Sequence, residues 1–137
     1  DVVMMLNGAL AGLVSITAEP LSPSPMLAIG IGAVGSVIMY FGTSLLNSLR
    51  LDDVVGAIPV HLFAGVWGTL AVTFSNTSTT FTTQLIGVLS VTIFTFIFSF
   101  IAFFLLKQFI GLRISNEAEK LGTDVAEIGV RAYAIRD

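Results

Sequence analysis

The feature that most constrains this chain is a set of long stretches without charged side chains. Residues 2–18 and 20–49 contain no Asp, Glu, Lys or Arg, and within residues 54–106 the only ionisable side chain is His61. A helix that crosses a bilayer core needs about 20 consecutive apolar residues. The pattern therefore predicts an all-α membrane protein, a polytopic transmembrane helical bundle. We predict four spans, at residues 2–18, 26–49, 54–74 and 82–106.

The composition changes abruptly after Leu106. Residues 107–137 contain five of the six Lys and Arg residues and five of the nine Asp and Glu residues, which predicts a water-exposed C-terminal tail. The remaining basic residue, Arg50, lies between the second and third spans. All basic residues thus fall on one side of a four-span arrangement, and basic residues favour the cytoplasmic side. We expect the tail to be cytoplasmic and the protein to reside in the plasma membrane.

Composition also excludes several classes of protein. A net charge of −3, with 6 Lys and Arg residues against 9 Asp and Glu residues, leaves no basic face for nucleic acid. The chain has no Cys, which excludes disulfide scaffolds and thiol nucleophiles, and its single His is too few for a multi-histidine metal site. We therefore predict no catalytic residues, no cofactor, no metal and no nucleic-acid partner.

The start of the chain does not read as a signal peptide. It begins with Asp1 rather than with a basic region, and no small-residue cleavage site follows the first apolar stretch. Because the sequence starts inside an apolar run, we expect it to be a C-terminal piece of a larger membrane protein.

Glycines recur at spacings that favour close helix packing. Gly30, Gly32 and Gly35 spell G-x-G-x-x-G, but they lie within an apolar helix and not between a strand and a helix, as dinucleotide binding requires. Small residues allow the backbones of neighbouring membrane helices to approach closely. We predict this role for them and for two further pairs, Gly8 with Gly12 and Gly65 with Gly68.

Four phenylalanines alternate along the last span, as the side chains of a strand would. They are Phe94, Phe96, Phe98 and Phe100, and the residues between them form no polar face. Because they lie within a long uncharged run, we predict a helix whose phenylalanines face lipid or pack against other helices.

His61 is the principal candidate site residue. It follows Pro59, which has no N–H and clashes with the carbonyl four residues earlier, that of Val55. We therefore expect residues 54–58 to be kinked or irregular, as backbone that lines a cavity can be. A polar side chain within a membrane is costly unless it is paired, which favours a place on a substrate pathway. A neutral imidazole both donates and accepts hydrogen bonds, so it suits transfer of a proton or binding of a small amine.

Three motifs resemble the ammonium transporter (Amt/Rh) family. LDDVVGAIPVH at 51–61, followed by AGVWGTL at 64–70, resembles the tenth span of that family, and NGALAGLVSITA at 7–18 resembles the eighth. GLRIS at 111–115, Gly122-x-Asp124 and Gly129-x-Arg131-Ala132-Tyr133 resemble its cytoplasmic tail. In this likeness the chain corresponds to roughly the last third of an eleven-span fold, spans eight to eleven plus the tail.

The resemblance implies transport of ammonium or ammonia through a narrow apolar pore in each subunit of a homotrimer. His61 matches the second of two pore-lining histidines, and Thr17 matches a residue near the outer vestibule. Trp67 belongs to the motif, where we interpret it as a packing residue. The first histidine, a phenylalanine gate and an outer aromatic site belong to spans that do not correspond to this chain.

The chain departs from the family pattern at four positions. Gly56 stands where many bacterial members have Asp, and Leu62 stands where glycine is common. In the tail, Ile128 replaces a signature histidine and Ala126 occupies the position of a regulatory threonine. Control by phosphorylation at that threonine therefore does not carry over. A PII-type signal protein is retained as a candidate partner of the cytoplasmic face.

Two other functions remain open. The first is an ammonium-sensing membrane domain coupled to a C-terminal signalling domain. The second is a packing subunit without a pathway, for which His61 should be hydrogen-bonded inside a dry helix interface.

The tail sequence predicts two short helical turns. Ser115 and Asn116 can cap a helix that Gly122 ends, and Asp124 with Glu127 suits a second turn. Such a tail can latch onto a neighbouring subunit.

Overall fold

The structure, a computed structural model, describes residues 1–21 and 23–132. Throughout these residues the regular structure is helical, which confirms the predicted fold class. Four helices follow the apolar stretches: α1 (Val2–Ile16), α2 (Pro25–Ser48), α3 (Ala64–Ala71) and α4 (Phe81–Phe109). A π-helical segment (Ile58–Phe63) leads into α3, and a 3₁₀ turn (Val72–Phe74) follows it. The tail contains α5 (Asn116–Leu121) and α6 (Thr123–Ile128).

Two of the helices in the described ranges, α2 and α4, are long and apolar enough to cross a membrane. The other two apolar helices, Val2–Ile16 and Ile58–Phe74, are shorter. The four-span arrangement therefore stays a prediction. Helix α4 continues past the predicted boundary at residue 106 and ends at Phe109.

Residues 1–93 form one compact unit, in which α1 and α2 approach each other through small residues. A Cβ atom on Gly32 would lie only 3.3 Å from the carbonyl oxygen of Gly12. The Ser36 hydroxyl of α2 donates to the carbonyl oxygen of Gly8 in α1 at 2.7 Å, so the contact also contains an interhelical hydrogen bond. These contacts confirm the packing role predicted for Gly8, Gly12 and Gly32.

One glycine of the G-x-G-x-x-G motif does not take part in this packing. A Cβ atom on Gly35 would overlap the Ser15 hydroxyl, whereas one on Gly30 would meet no atom within 4 Å. Gly30 therefore does not contribute to the contact between α1 and α2, and its predicted role in close packing stays a prediction.

The interior of this unit is small and lies where α1, α2 and the π-helical segment meet. Its buried apolar cluster consists of Ala11, Met39, Val60 and Ala64. The Trp67 indole N–H donates to the carbonyl oxygen of Ile31 at 2.9 Å, which ties α3 to α2. This contact agrees with the interpretation of Trp67 as a packing residue.

A second compact unit begins at Phe94. The alternating phenylalanines in it are helical, as predicted, and neighbours one turn apart stack: the ring centroids of Phe94 and Phe98 are 5.9 Å apart. Those of Phe96 and Phe100 are 6.4 Å apart. No residue of α4 is buried. Its apolar side chains are therefore available to lipid or to other protein along the whole helix.

The tail helices form as the capping residues predict. The Ser115 hydroxyl accepts a hydrogen bond from the Ala118 N–H at 3.1 Å, and Gly122 ends α5. Arg113 and Glu119 form an ion pair at 3.5 Å between exposed side chains, which contributes little stability. Tyr133 of the tail motif and Arg136 lie outside the described residues.

Candidate functional site

The segment that carries His61 begins at a side-chain cap. The Asp53 carboxylate accepts hydrogen bonds from the N–H groups of Ala57 at 2.9 Å and Ile58 at 2.8 Å. The first N–H groups of a helix lack partners within the helix, so a carboxylate at this position satisfies them. Asp53 thereby fixes where the π-helical segment starts.

The irregular backbone before Pro59 is held by a side chain from α1. The Asn7 amide donates from Nδ2 to the carbonyl oxygen of Val55 at 3.1 Å. Gly56 follows with φ of +73°, a left-handed conformation that favours glycine. The break expected at residues 54–58 thus takes the form of a turn followed by the π-helical segment.

Buried neighbours determine which way His61 faces. Pro59 and Val60 are buried, and the ring of Phe63 packs directly against Gly42 of α2. His61 lies between these anchors in sequence but is exposed. A π-helical turn holds one more residue than an α-helical turn and often occurs at functional sites.

His61 opens onto a cleft of about 300 Å³. The cleft lies between the His61 segment, the first turns of α3 and the first half of α4. Most of its lining is apolar or glycine, and the polar side chains besides His61 are Thr69 and Thr92. The Thr69 hydroxyl donates to the carbonyl oxygen of Gly65 at 2.9 Å, so its proton is already used.

The imidazole of His61 has no hydrogen-bond partner among residues 1–21 and 23–132. Its ring nitrogens therefore remain available to a molecule in the cleft. If the chain were only a packing subunit, the His61 ring should be hydrogen-bonded inside a dry helix interface. In the described part of the chain the ring is instead exposed and lines the cleft.

Thr17, the weaker candidate, lies elsewhere in the same unit. It is exposed at the end of α1, and its hydroxyl donates to the carbonyl oxygen of Val14 at 2.7 Å. It is not among the residues that line the His61 cleft. The structure thus brings His61 together with Thr69 and Thr92, but not with Thr17.

Sequence reasoning missed four residues around His61. Asp53 was visible as an acidic residue shortly before a helix, which is a recognised start signal, but it received no role. The partnership of Asn7 with Val55 joins residues 48 positions apart, and no local pattern reveals it. Thr69 and Thr92 gave no signal, because a threonine in an apolar helix more often bonds to its own backbone.

The acidic residue of the tail motif has a local function of its own. The Asp124 carboxylate accepts a hydrogen bond from the Ala132 N–H at 2.7 Å, and this bond closes a turn after α6. This bond is the main cause that lowers the pKa of the Asp124 carboxyl below its ordinary value. In the described ranges no three His, Cys, Asp or Glu residues lie close enough to hold a metal ion.

Comparison with known proteins gives a consistent result. Residues 1–133 match the model of the family described as Ammonium Transporter Family. A putative ammonium transporter of Synechocystis is 39% identical over 131 residues, covering 94% of this chain and 30% of that protein. The ammonium transporter Amt2 of Archaeoglobus fulgidus is 39% identical over 153 residues, covering 97% of this chain and 33% of that protein.

A more distant relative is the ammonium transporter of Bacillus subtilis, which is 30% identical over 144 residues, with 93% of this chain and 36% of that protein covered. The chain thus spans about a third of the length of these relatives. All three are named as transporters, and none of these names favours the sensor alternative.

Proposed function

The chain belongs to the ammonium transporter family and is an integral membrane protein, and on this premise we propose that the complete protein carries ammonium or ammonia across the membrane, with His61 lining the path. The observation that supports this proposal is the exposed imidazole on a π-helical turn, directed at an apolar cleft and without a partner in the described residues.

The chemistry of the imidazole suits such a permeant. In its neutral form one ring nitrogen donates and the other accepts a hydrogen bond. Ammonia and ammonium are small donors that the acceptor nitrogen can bind, and ammonia also offers a lone pair to the ring N–H. The apolar lining disfavours a charged permeant and bulk water, so the ring supplies hydrogen bonds that the surrounding cleft does not.

The test is replacement of His61 in the complete protein reconstituted in liposomes. We expect His61→Ala to abolish ammonium flux or to change the species that crosses. Thr73→Val is a matched control, because the Thr73 hydroxyl only donates to the carbonyl oxygen of Leu70, at 2.8 Å, and does not line the cleft. Ammonium flux in His61→Ala equal to that of Thr73→Val would overturn the role of His61.

The arrangement of the whole protein is part of the proposal. The bias of basic residues supports a cytoplasmic location of the tail, residues 107–137. Residence in the plasma membrane is proposed from the family resemblance. Assembly as a homotrimer and contact with a PII-type signal protein are proposed from the family resemblance. Thr17 is proposed as a residue near the outer vestibule on the same basis.

A further inference from the structure

The turn before His61 contains a carbonyl group that receives no hydrogen bond from the helix that follows it. That helix begins with the Val60 N–H, which donates to the carbonyl oxygen of Gly56 at 3.2 Å. The carbonyl oxygen of Val55 lies one residue before this acceptor and outside the helix. It accepts from the side-chain amide of Asn7, at 3.1 Å.

The shape of the turn matches this partner. A Cβ atom on Gly56 would lie 2.5 Å from the Asn7 amide nitrogen, so only glycine at 56 leaves room for the amide. Gly56 also has the left-handed φ of +73° that turns the backbone into the π-helical segment. Asn7 and Gly56 are therefore complementary: the glycine provides the space and the bend, and the amide fills that space.

Besides apolar packing, two hydrogen bonds join α1 to the backbone on either side of the His61 segment. Asn7 binds the backbone of Val55, and the Ser15 hydroxyl lies 3.3 Å from the carbonyl oxygen of Ala64 while donating at 2.8 Å to that of Ala11. The second contact is the longer one, since the Ser15 proton is shared. The Asn7 bond is therefore the stronger of these two hydrogen bonds.

We propose that Asn7 is a positioning residue for His61: its side-chain amide binds the Val55 carbonyl oxygen in the turn before the π-helical segment and fixes that segment against α1. This inference rests on the proposed role of His61 in the substrate path. If Asn7 sets the position of the imidazole relative to the permeant, its loss alters how well the path distinguishes permeants of different size.

The experiment compares Asn7 variants of the complete protein in liposomes, with ammonium and methylammonium as the two permeants. Asn7→Leu and Asn7→Asp keep the approximate size and remove the donor. For both we expect the preference for one permeant over the other to change by about two- to tenfold, the effect of one hydrogen bond. We also expect a changed KM and a shifted pH profile of flux. Asn7→Gln keeps an amide donor and should retain most of the wild-type preference.

Ser44→Ala is the matched control. The Ser44 hydroxyl donates to the carbonyl oxygen of Tyr40 at 3.2 Å, a side-chain bond to backbone within α2. Its removal should leave KM, the permeant preference and the pH profile unchanged. If Asn7→Leu and Asn7→Asp resemble Ser44→Ala in all three measurements, or lower every flux equally at constant preference, the proposal is overturned.

A second variant keeps the proposal testable if the Asn7 variants do not fold. Gly56→Ala leaves the Asn7 donor in the chain but displaces it, so we expect the same change in preference, and a wild-type preference would overturn the proposal. The His61→Ala measurement separates the two proposals. Unchanged ammonium flux in His61→Ala would overturn the role of His61. Lost flux in His61→Ala, together with a wild-type permeant preference in the Asn7 and Gly56 variants, would overturn only the role of Asn7.

Discussion

His61 is oriented by contacts that its neighbours make, and not by contacts of its own ring. Pro59 and Val60 are buried beside it, and Asp53 binds the first N–H groups of the segment. The backbone is thus fixed before and around the imidazole, while the ring nitrogens stay free of partners in the described residues. A group held in this way can bind a permeant without first breaking an internal hydrogen bond.

Removal of the Asp53 cap should destabilise the His61 segment. Asp53→Ala leaves the N–H groups of Ala57 and Ile58 without their acceptor, and loss of a helix cap costs about 0.5–2 kcal/mol. We expect a lower melting temperature of the detergent-solubilised complete protein and a smaller loss in Asp53→Asn, which retains an acceptor oxygen. Asp52→Ala is the control, because the Asp52 side chain is exposed and forms no hydrogen bond within the described ranges. Equal melting temperatures for Asp53→Ala and Asp52→Ala would contradict the cap.

The turn after α6 should weaken in acid. Because the pKa of Asp124 is lowered in the folded tail, chiefly by the Ala132 N–H, the ionised carboxylate stabilises the turn above the ordinary carboxyl pKa of 3.8. That stabilisation is lost as the pH falls through the lower, folded value. We expect the Ala132 amide to be protected from hydrogen exchange at neutral pH and less protected in Asp124→Ala, which removes the acceptor. Equal protection in the two proteins would show that the carboxylate does not hold the turn.

At the scale of the elements, the helices could be predicted from local properties of the sequence. These are the length of each charge-free run and the proline and serine residues that mark where a helix starts. The π-helical form of Ile58–Phe63 could not be predicted in the same way. Pro59 marks where the helix is irregular, but the shape of the turn depends on the Asn7 amide, which lies far away in the sequence. The G-x-G-x-x-G pattern likewise does not reveal which of its glycines meet α1, because it does not contain the angle at which α1 crosses α2.

Two glycines of α2 provide a direct test of the α1–α2 contact. A Cβ atom on Gly35 would overlap the Ser15 side chain, whereas one on Gly30 would meet nothing within 4 Å. We expect Gly35→Ala to destabilise the complete protein by about 1–3 kcal/mol, the usual cost of overpacking. Gly30→Ala should be neutral. Thermal unfolding of both variants measures the difference, and equal stability would mean that the two helices do not meet at Gly35.

At the scale of the whole molecule, the positions of the Lys and Arg residues predict how the chain is oriented in the membrane. The links at 18–25 and 75–83 contain no Lys or Arg. All six basic residues are either Arg50 or residues of the tail. Moving a charged tail across a bilayer is unfavourable, and basic residues retain their segment on the cytoplasmic side. If residues 2–18, 26–49, 54–74 and 82–106 each cross once, the two links without Lys or Arg face outward.

Accessibility of single cysteines tests this orientation, because the chain contains no Cys of its own. We expect Leu21→Cys and Thr77→Cys, both in exposed positions, to react in intact cells with a thiol reagent that does not cross the membrane. Glu117→Cys, in the first turn of α5, should react only after permeabilisation. The measurement needs a complete protein whose remaining cysteines have been replaced. Labelling of Glu117→Cys in intact cells would reverse the orientation. Opposite behaviour of Leu21→Cys and Thr77→Cys would show that the spans between them cross the bilayer an odd number of times, which contradicts four spans.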